Sequence, residues 1–258
     1  MDLTLKDKLF VVTGATSGLG NGVAVNLLNE GASIIAVARN NDRLNAFMKK
    51  YSGQVEAIPG DITKPDTLKT VFEYVGDRYL SGLLVNSAGP PAKSFLETSL
   101  EDWDSAYETL LRWKIEITQQ ALNIFRRQQY GRVVYIESSA VKQPVRDLVL
   151  SNSIRMAVVG FVKTLSQEIA GEGITLNVLA PGFHETAAAE RLFLKRSEKE
   201  GITIEQAKKQ FESEISVGKM GDTKEFGMIA AWLLSPHSGY ITGQTISVDG
   251  GMIKATMG

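Results

Sequence analysis

Short apolar runs rich in valine and isoleucine alternate along the chain with longer helical patterns, and this alternation constrains the fold most strongly. The runs predict strands at residues 8–13, 33–38, 54–59, 82–86, 132–137, 175–179 and 245–248. The segments between them predict helices at 20–30, 41–51, 65–79, 103–129, 154–171 and 224–234. Because the runs lack strict alternation, both faces of their sheet should be covered. We expect one α/β domain over residues 1–258, Rossmann-like and doubly wound, with a mostly parallel seven-stranded sheet flanked by helices.

The composition excludes several classes of function. Lysine and arginine number 28 and aspartate and glutamate 29, so the net charge of -1 offers no basic surface to nucleic acid. The absence of cysteine excludes disulfides, thiolate catalysis and cysteine-ligated zinc. Two histidines, His184 and His237, are too few for a histidine cluster, so no metal site is expected. No apolar run is long enough to span a bilayer and no signal-peptide pattern is present, so we expect a cytoplasmic protein without a membrane partner.

A glycine-rich turn follows the first predicted strand and leads into the first predicted helix. Residues 13–20 read Thr-Gly-Ala-Thr-Ser-Gly-Leu-Gly. Glycine allows backbone amides and a helix N-terminus to approach a pyrophosphate. Many tight turns without a ligand also contain glycine, but the position after the first strand of a βαβ unit favours a dinucleotide site. Its candidate cofactor-binding residues are Gly14, Thr16, Ser17, Gly18, Leu19 and Gly20.

Five motifs in order along the chain resemble the short-chain dehydrogenase/reductase family. Besides the glycine-rich turn, they are Gly-Asp-Ile at 60–62, Asn-Ser-Ala-Gly at 86–89, Asn-Val-Leu-Ala-Pro-Gly at 177–182 followed by a threonine at 186, and Ile-Thr-Gly-Gln at 241–244 with Val-Asp-Gly-Gly at 248–251. The resemblance covers nearly the whole chain and is strongest to the 3-oxoacyl-carrier-protein reductase branch. It implies a nicotinamide cofactor that also contacts Asp61, Ile62, Asn86, Ala88, Gly89, Pro181, Gly182 and Thr186.

The end of the second predicted strand bears on the choice of cofactor. An NAD enzyme has an acidic residue there that accepts from the ribose 2′-hydroxyl and repels a 2′-phosphate. Here that position is Ala38, followed by Arg39 and Asn40, and a guanidinium suits a phosphate. Ser17 offers a further hydroxyl. We therefore expect NADP rather than NAD, the alternative being that Arg39 is only a solvated surface side chain.

The catalytic residues are where the chain departs from the resemblance. The family uses a tyrosine as proton donor, a lysine four residues later, a serine that positions the carbonyl, and an asparagine that supports a water-linked proton path. Counting along the matched segments retains the serine as Ser138, whereas Ser151, Arg155 and Leu110 stand at the tyrosine, lysine and asparagine positions. A serine hydroxyl is shorter and far less acidic than a phenol. Arg155 does not titrate in a useful range but can still bind the cofactor ribose.

Two nearby residues are candidate replacements for the proton donor. Lys142 lies in the loop after the fifth predicted strand, where partial burial would lower its pKa, but it also fits a solvent-facing lysine. His184 follows the Pro-Gly segment and has a suitable reference pKa, but it also fits a surface histidine at the base of a lid. Strand alternation should point Glu137 and Tyr135 away from Ser138, so neither is expected to take part.

Residues 183–220 resemble the family's helical substrate lid. Leu192, Phe193 and Phe211 are expected to contact substrate, while Lys195 and Arg196 either face an anionic substrate or form the lid's solvated surface. Two functions remain open. The first is an NADP-preferring oxidoreductase acting on a small-molecule carbonyl or alcohol. The second is a catalytically degenerate NADP(H)-binding sensor or partner subunit. The resemblance also implies a homodimer or homotetramer.

Overall fold

Seven strands form one sheet in the computed structural model, which describes residues 1–256 of the chain. The strands are β1 (Leu9–Thr13), β2 (Ser33–Ala38), β3 (Val55–Pro59), β4 (Leu80–Val85), β5 (Gly131–Ile136), β6 (Ile174–Pro181) and β7 (Thr245–Val248). They pair in the order β3-β2-β1-β4-β5-β6-β7, and each neighbouring pair is parallel. The predicted single α/β domain is confirmed, with a sheet that is parallel throughout the described residues rather than mostly parallel.

Helices cover both faces of this sheet, as its apolar strands require. They are α1 (Gly18–Asn29), α2 (Asn41–Lys50), α3 (Pro65–Val75), α4 (Leu100–Tyr107), α5 (Trp113–Gln128), α6 (Val149–Ile169), α7 (Ala187–Glu200), α8 (Ile204–Ser213) and α9 (Thr223–Leu233). One apolar core joins the sheet to α3, α5 and α6, and the other joins it to α1, α2 and α9. Among the helices of residues 1–256, none combines the length and apolarity needed to cross a membrane.

Three of the predicted helices differ from the observed ones by more than two residues. The predicted helix at 103–129 is divided by a π-helical turn at Glu108–Arg112, which separates α4 from α5. Helix α3 ends at Val75 because Gly76 has a φ of 56°. Helix α6 begins at Val149 rather than at 154, so Ser151 lies within its first turn. The polar run at 151–153 hid this turn, since it lacks the apolar spacing on which the prediction depended.

The strand order places a crevice at the carboxyl ends of β1 and β4. Strand β1 pairs with both β2 and β4, so the chain winds outward in opposite directions from this point. The loops that follow β1 and β4 leave the sheet towards opposite faces and open a gap between them. This topological switch point is where doubly wound proteins bind ligands.

Substituting Gly22 by alanine should destabilise the fold, because α1 and α9 approach each other through backbone atoms. A Cβ at Gly22 would lie 2.0 Å from the carbonyl oxygen of Thr223. We expect Gly22→Ala to lower the free energy of unfolding by about 1–3 kcal/mol. Gly160→Ala is the matched control, because nothing lies within 4 Å of a Cβ at that position in α6. This control should be stabilising by up to about 1 kcal/mol. Urea denaturation measures both, and equal stabilities would contradict the proposed close contact.

Candidate active site

The loops after β1 and β4 are joined by the Thr13 hydroxyl. The backbone N–H of Asn86 donates to Thr13 Oγ1 over 2.7 Å, and that hydroxyl donates in turn to a β4-end carbonyl, of Leu84 at 3.1 Å or of Asn86 at 2.8 Å. Gly14 has a φ of 68°, and a Cβ there would lie 2.7 Å from Asn86 Nδ2. A Cβ at Gly20 would lie 2.3 Å from the carbonyl oxygen of Gly14. Only glycine fits these positions, so the backbone of the turn stays uncovered.

The N-terminus of α1 is suited to bind an anion. Its first turn holds no acidic residue, and the hydroxyl of the preceding Ser17 makes no capping hydrogen bond. Gly18 adopts a φ of 53°, and a Cβ there would lie 3.4 Å from the Thr186 methyl group. Thr16 and Leu19 complete this turn. Uncapped N–H groups and the helix dipole favour a phosphate group, so the residues present fit a dinucleotide pyrophosphate.

The end of β2 carries a cation and no carboxylate. Arg39 is exposed and makes no hydrogen bond or ion pair within residues 1–256. The Asn40 side chain accepts from the N–H of Arg43 over 2.9 Å and so caps α2. After β3, the Asp61 carboxylate accepts from both the N–H and the hydroxyl of Thr63, at 3.0 and 2.9 Å, while Ile62 is buried. Asp61 and Ile62 are therefore rigidly placed on the same edge of the sheet.

The segment after β6 is fixed against β7. The N–H of Gly182 donates to the carbonyl of Val248 over 3.0 Å, and a Cβ at Gly182 would lie 2.8 Å from that of Asp249. His184 is buried, its Nδ1 lies 3.1 Å from the Gly182 carbonyl oxygen, and its ring meets Phe226 edge-on. Burial lowers the pKa of His184, so its neutral form is favoured. The alternative of a surface histidine is therefore wrong.

Helix α6 presents Ser151 and Arg155 one turn apart, and the Arg155 Nε–H donates to Ser151 Oγ over 3.0 Å. Ser138 follows β5 and caps a 3₁₀ turn, its Oγ accepting from the N–H of Ala140 over 3.1 Å. Lys142 comes next and is half-buried, but its ammonium makes no hydrogen bond or ion pair with any described residue. The Asn152 side chain holds the loop that follows it through the backbone of Val145.

A buried ionic cluster lies behind Ser151. Arg155 Nη1 donates to Glu137 Oε2 over 2.9 Å, and Lys114 Nζ binds the other carboxylate oxygen. The side chains of Glu137 and Lys114 are fully buried, and that of Arg155 is 8% exposed. Glu137 faces α5, away from Ser138, as strand alternation predicted. Glu137 nevertheless binds Arg155, one of the predicted site residues, from behind.

Lys114 is the residue that the sequence prediction missed. It stands one helical turn after Leu110, which is buried where the resemblance places an asparagine. Burial lowers the pKa of Lys114 to about 8, an effect that Glu137 opposes and Arg155 reinforces. A lysine within the apolar stripe of Trp113 and Ile117 was the signal available in the sequence. At neutral pH the cluster therefore holds two cations and one carboxylate.

Arg155 also approaches the loop after β4. Its Nη2 would lie 3.3 Å from a Cβ at Gly89, and Nη2 makes no hydrogen bond within residues 1–256. The same loop meets the glycine-rich turn through Asn86. The dinucleotide crevice and the candidate catalytic residues are thus parts of one site. Across the described residues, no group of three side chains is placed to hold a metal ion.

Comparison with known proteins identifies the family. The family model described as Enoyl-(Acyl carrier protein) reductase matches residues 14–253. The chain is a short-chain dehydrogenase/reductase. The 3-oxoacyl-(acyl-carrier-protein) reductase FabG of Thermotoga maritima is 30% identical over 256 residues, with 97% of this chain and 100% of that protein covered. The NADPH-dependent reductase BacG of Bacillus subtilis is 26% identical, with 95% and 97% covered.

Solved structures of other reductases share this fold. YwfH, an NADPH-dependent reductase involved in bacilysin biosynthesis, superimposes with a TM-score of 0.92 at 25% identity, with 97% of this chain and 100% of YwfH covered. Actinorhodin polyketide ketoreductase, solved with NADPH, gives a TM-score of 0.91 at 27% identity, with 98% and 99% covered. The match extends over nearly the full length of both chains in each case.

The segment predicted as a lid contains α7 and α8, which pack on each other. Phe193 and Phe211 are buried in the lid's own core, with ring centroids 5.4 Å apart. The expectation that these two side chains contact substrate is therefore wrong. The Arg196 guanidinium lies 3.7 Å from the centre of the Phe211 ring and pairs with Glu214. Arg196 is thus engaged within the lid, which favours the solvated-surface interpretation over an anionic substrate.

The pH dependence of stability should report on Lys114. Because burial lowers its pKa from 10.5 to about 8, the unfolded chain binds more protons than the folded protein between these values. The wild-type free energy of unfolding therefore rises with pH in that window. Below pH 8 the lysine is charged in both states, and the cost of burying it is fully present.

Lys114→Met removes this titration. As the pH rises through the window, the free energy of unfolding of the wild type should increase by about 3 kcal/mol relative to that of the variant. Urea denaturation at a series of pH values measures it. Lys69→Met, at an exposed position, is the control and should follow the wild type at each pH. Parallel curves for wild type and Lys114→Met would contradict the assignment.

Proposed function

We propose that this protein is an NADP-preferring oxidoreductase that interconverts a carbonyl and an alcohol on a small molecule, using an atypical proton donor. The observation that carries the proposal is the junction at Gly89, where the Arg155 guanidinium meets the crevice lined by the glycine-rich turn. The named relatives support the proposal, because BacG and the ketoreductase structure are both described with NADPH. The FabG relatives favour a 3-oxoacyl compound among possible substrates.

The cofactor would lie along the crevice, with each part held by a different loop. The turn that carries Gly14, Gly18 and Gly20 would hold the pyrophosphate. Asp61 and Ile62 would meet the adenine. The nicotinamide half would contact Asn86, Ala88, Gly89, Arg155, Pro181, Gly182 and Thr186. Bound NADPH supplies a hydride for the carbonyl carbon.

The side chains of α6 and the β5 loop would then act on the carbonyl oxygen. The hydroxyls of Ser138 and Ser151 would donate hydrogen bonds to it. Since Arg155 Nε–H already donates to Ser151 Oγ, the Ser151 proton is free to point into the site. The fixed charge of Arg155 would stabilise the negative charge that develops on oxygen, an effect typically worth about 10²–10³-fold in rate.

The proton would come from Lys142 rather than from His184. Lys142 is half-buried beside the Ser138 turn, and its ammonium is not engaged by any described residue. His184 packs against Phe226 of α9, and burial favours its neutral form. General acid assistance of this kind is typically worth about 10²–10⁴-fold. Arg155 supplies charge but no proton, because its guanidinium stays protonated.

The proposal is tested by monitoring the absorbance of NADPH while the protein is incubated with ketones, diketones, 3-oxoacyl thioesters or sugars. A fall in absorbance reports consumption of NADPH. With the best substrate, Arg155→Met should lower kcat by about 100-fold or more, because the charge beside the oxygen is lost. Gln167→Ala, at an exposed position of the same helix, is the control and should retain full activity. Binding of NADPH without turnover of any carbonyl would refute the enzyme and favour the sensor or partner subunit.

Cofactor preference tests Arg39 independently of the chemistry. Arg39→Asp should weaken NADPH binding by about tenfold or more, because a carboxylate repels the 2′-phosphate, and should improve NADH binding. Fluorescence titration of each cofactor measures both affinities. Lys49→Asp makes the same change of charge at an exposed position near the end of α2 and should leave the preference unaltered. An unchanged ratio of affinities in Arg39→Asp would reduce Arg39 to a solvated surface residue.

The proposal includes a cytoplasmic homodimer or homotetramer. Three large apolar side chains near the start of α4 support self-association, since Phe95, Leu96 and Leu100 are 67%, 93% and 79% exposed. Contiguous exposed apolar patches on a protein surface often mark sites of interaction with another protein. The resemblance to the family, whose subunits pair through the helices at 103–129 and 154–171, supports the same assembly.

A further inference from the structure

Three charged side chains from three separate elements meet where α5, β5 and α6 pack together. Lys114 lies in α5, Glu137 directly follows β5 and Arg155 lies in α6. One oxygen of the Glu137 carboxylate pairs with Lys114 Nζ, and the other pairs with Arg155 Nη1. Burying charges costs free energy even when they are paired, so such a cluster requires a reason.

The geometry of Arg155 supplies that reason. Its Nε–H is fixed by Ser151, and its Nη1 is fixed by Glu137 through the carboxylate at 2.9 Å and the backbone carbonyl at 3.4 Å. A guanidinium is planar, so two fixed nitrogens determine the direction of the third. The remaining Nη2 is directed towards the Gly89 loop with no partner in residues 1–256. Glu137 thus determines where the free donor of Arg155 points, although it does not reach the site itself.

The charges of Arg155 and Glu137 cancel each other. Lys114 therefore adds an excess positive charge to the cluster. The ionisable groups that act on Lys114 are Glu137, which follows β5, and Arg155 from α6, while Tyr135 from β5 lies near Glu137. Tyr135 is buried, bonded to Thr118, and has its pKa raised by burial, so it stays uncharged. The cluster therefore carries one net positive charge when Lys114 is protonated and none when it is not.

We propose that Glu137 is the positioning residue that aims Arg155 into the site, and that Lys114 sets the net charge of the buried cluster. Both roles act through Arg155 and so rest on the proposed reductase site. Protonated Lys114 keeps the potential at the site positive, which favours both a bound nucleotide and negative charge on the reacting oxygen. Loss of that proton lowers activity even though Lys114 touches neither ligand.

Four variants separate positioning from simple stability. Glu137→Gln leaves two buried cations without a carboxylate and should be both unstable and inactive. Lys114→Met keeps the Arg155–Glu137 pair, and Lys114→Met/Glu137→Gln relieves the repulsion between cations without restoring the hold on Arg155. Glu137→Asp retains a carboxylate that reaches less far. Lys69→Met is again the control for loss of a lysine at an exposed position. Each variant is measured for thermal unfolding, NADPH affinity, and kcat/KM from pH 7 to 9.5.

Wild-type kcat/KM should fall by about tenfold over this range as Lys114 loses its proton. Lys114→Met should hold the lower value at every pH, so its profile should be flat. The double variant should regain the thermal stability lost in Glu137→Gln yet stay about 100-fold below wild type in kcat/KM. Glu137→Asp should lie between Glu137→Gln and wild type. Full recovery of activity in the double variant, or an unchanged pH profile in Lys114→Met, would overturn the proposal.

NADPH affinity keeps the two proposals distinguishable. If the wild type reduces no carbonyl, the proposed function fails, but Arg155 still borders the nucleotide crevice. Weakening of NADPH binding by about tenfold in the double variant would then support the positioning role of Glu137. An affinity equal to that of wild type in the same variant would overturn it.

Discussion

The hydrogen bond between the Asn86 N–H and the Thr13 hydroxyl joins the two halves of the sheet at the point where the strand order reverses. The loops after β1 and β4 leave in opposite directions there, and this short contact holds the base of one against the base of the other. The glycines of the turn follow from this constraint, since a Cβ at Gly14 would strike Asn86. The nucleotide crevice is thus a result of topology, and side chains serve mainly to leave it open.

Features encoded locally were predicted well. Each predicted strand overlaps an observed one, because short Val/Ile-rich runs between turns are a local signal. The π-helical turn at Glu108–Arg112 was missed, since inserting one residue into a helix leaves the apolar spacing on either side intact. The pairing of Lys114 with Glu137 was missed for a different reason. These residues are 23 positions apart and meet only through the packing of α5 on β5, which periodicity does not encode.

The surroundings of Arg155 show how a buried cation is satisfied. A guanidinium is a wide cation with several donors, and when buried it needs acceptors. Ser151 and Glu137 provide them. The resemblance places Ser151 and Arg155 at the family's tyrosine and lysine positions, so two of the three departures that it implies are joined by a hydrogen bond.

Both ends of the segment predicted as a lid rest on the same stretch of α1. Thr186, just before α7, lies against Gly18, and Thr223, just after the lid, lies against Gly22 one helical turn further along. The first turn of this helix is also the candidate anion site. Any molecule that shifted this segment would consequently alter the surroundings of a nucleotide bound at that turn. By thermodynamic reciprocity, the nucleotide alters the affinity for that molecule by the same factor. The binding of two ligands that do not contact each other would in this way be coupled through a single helix.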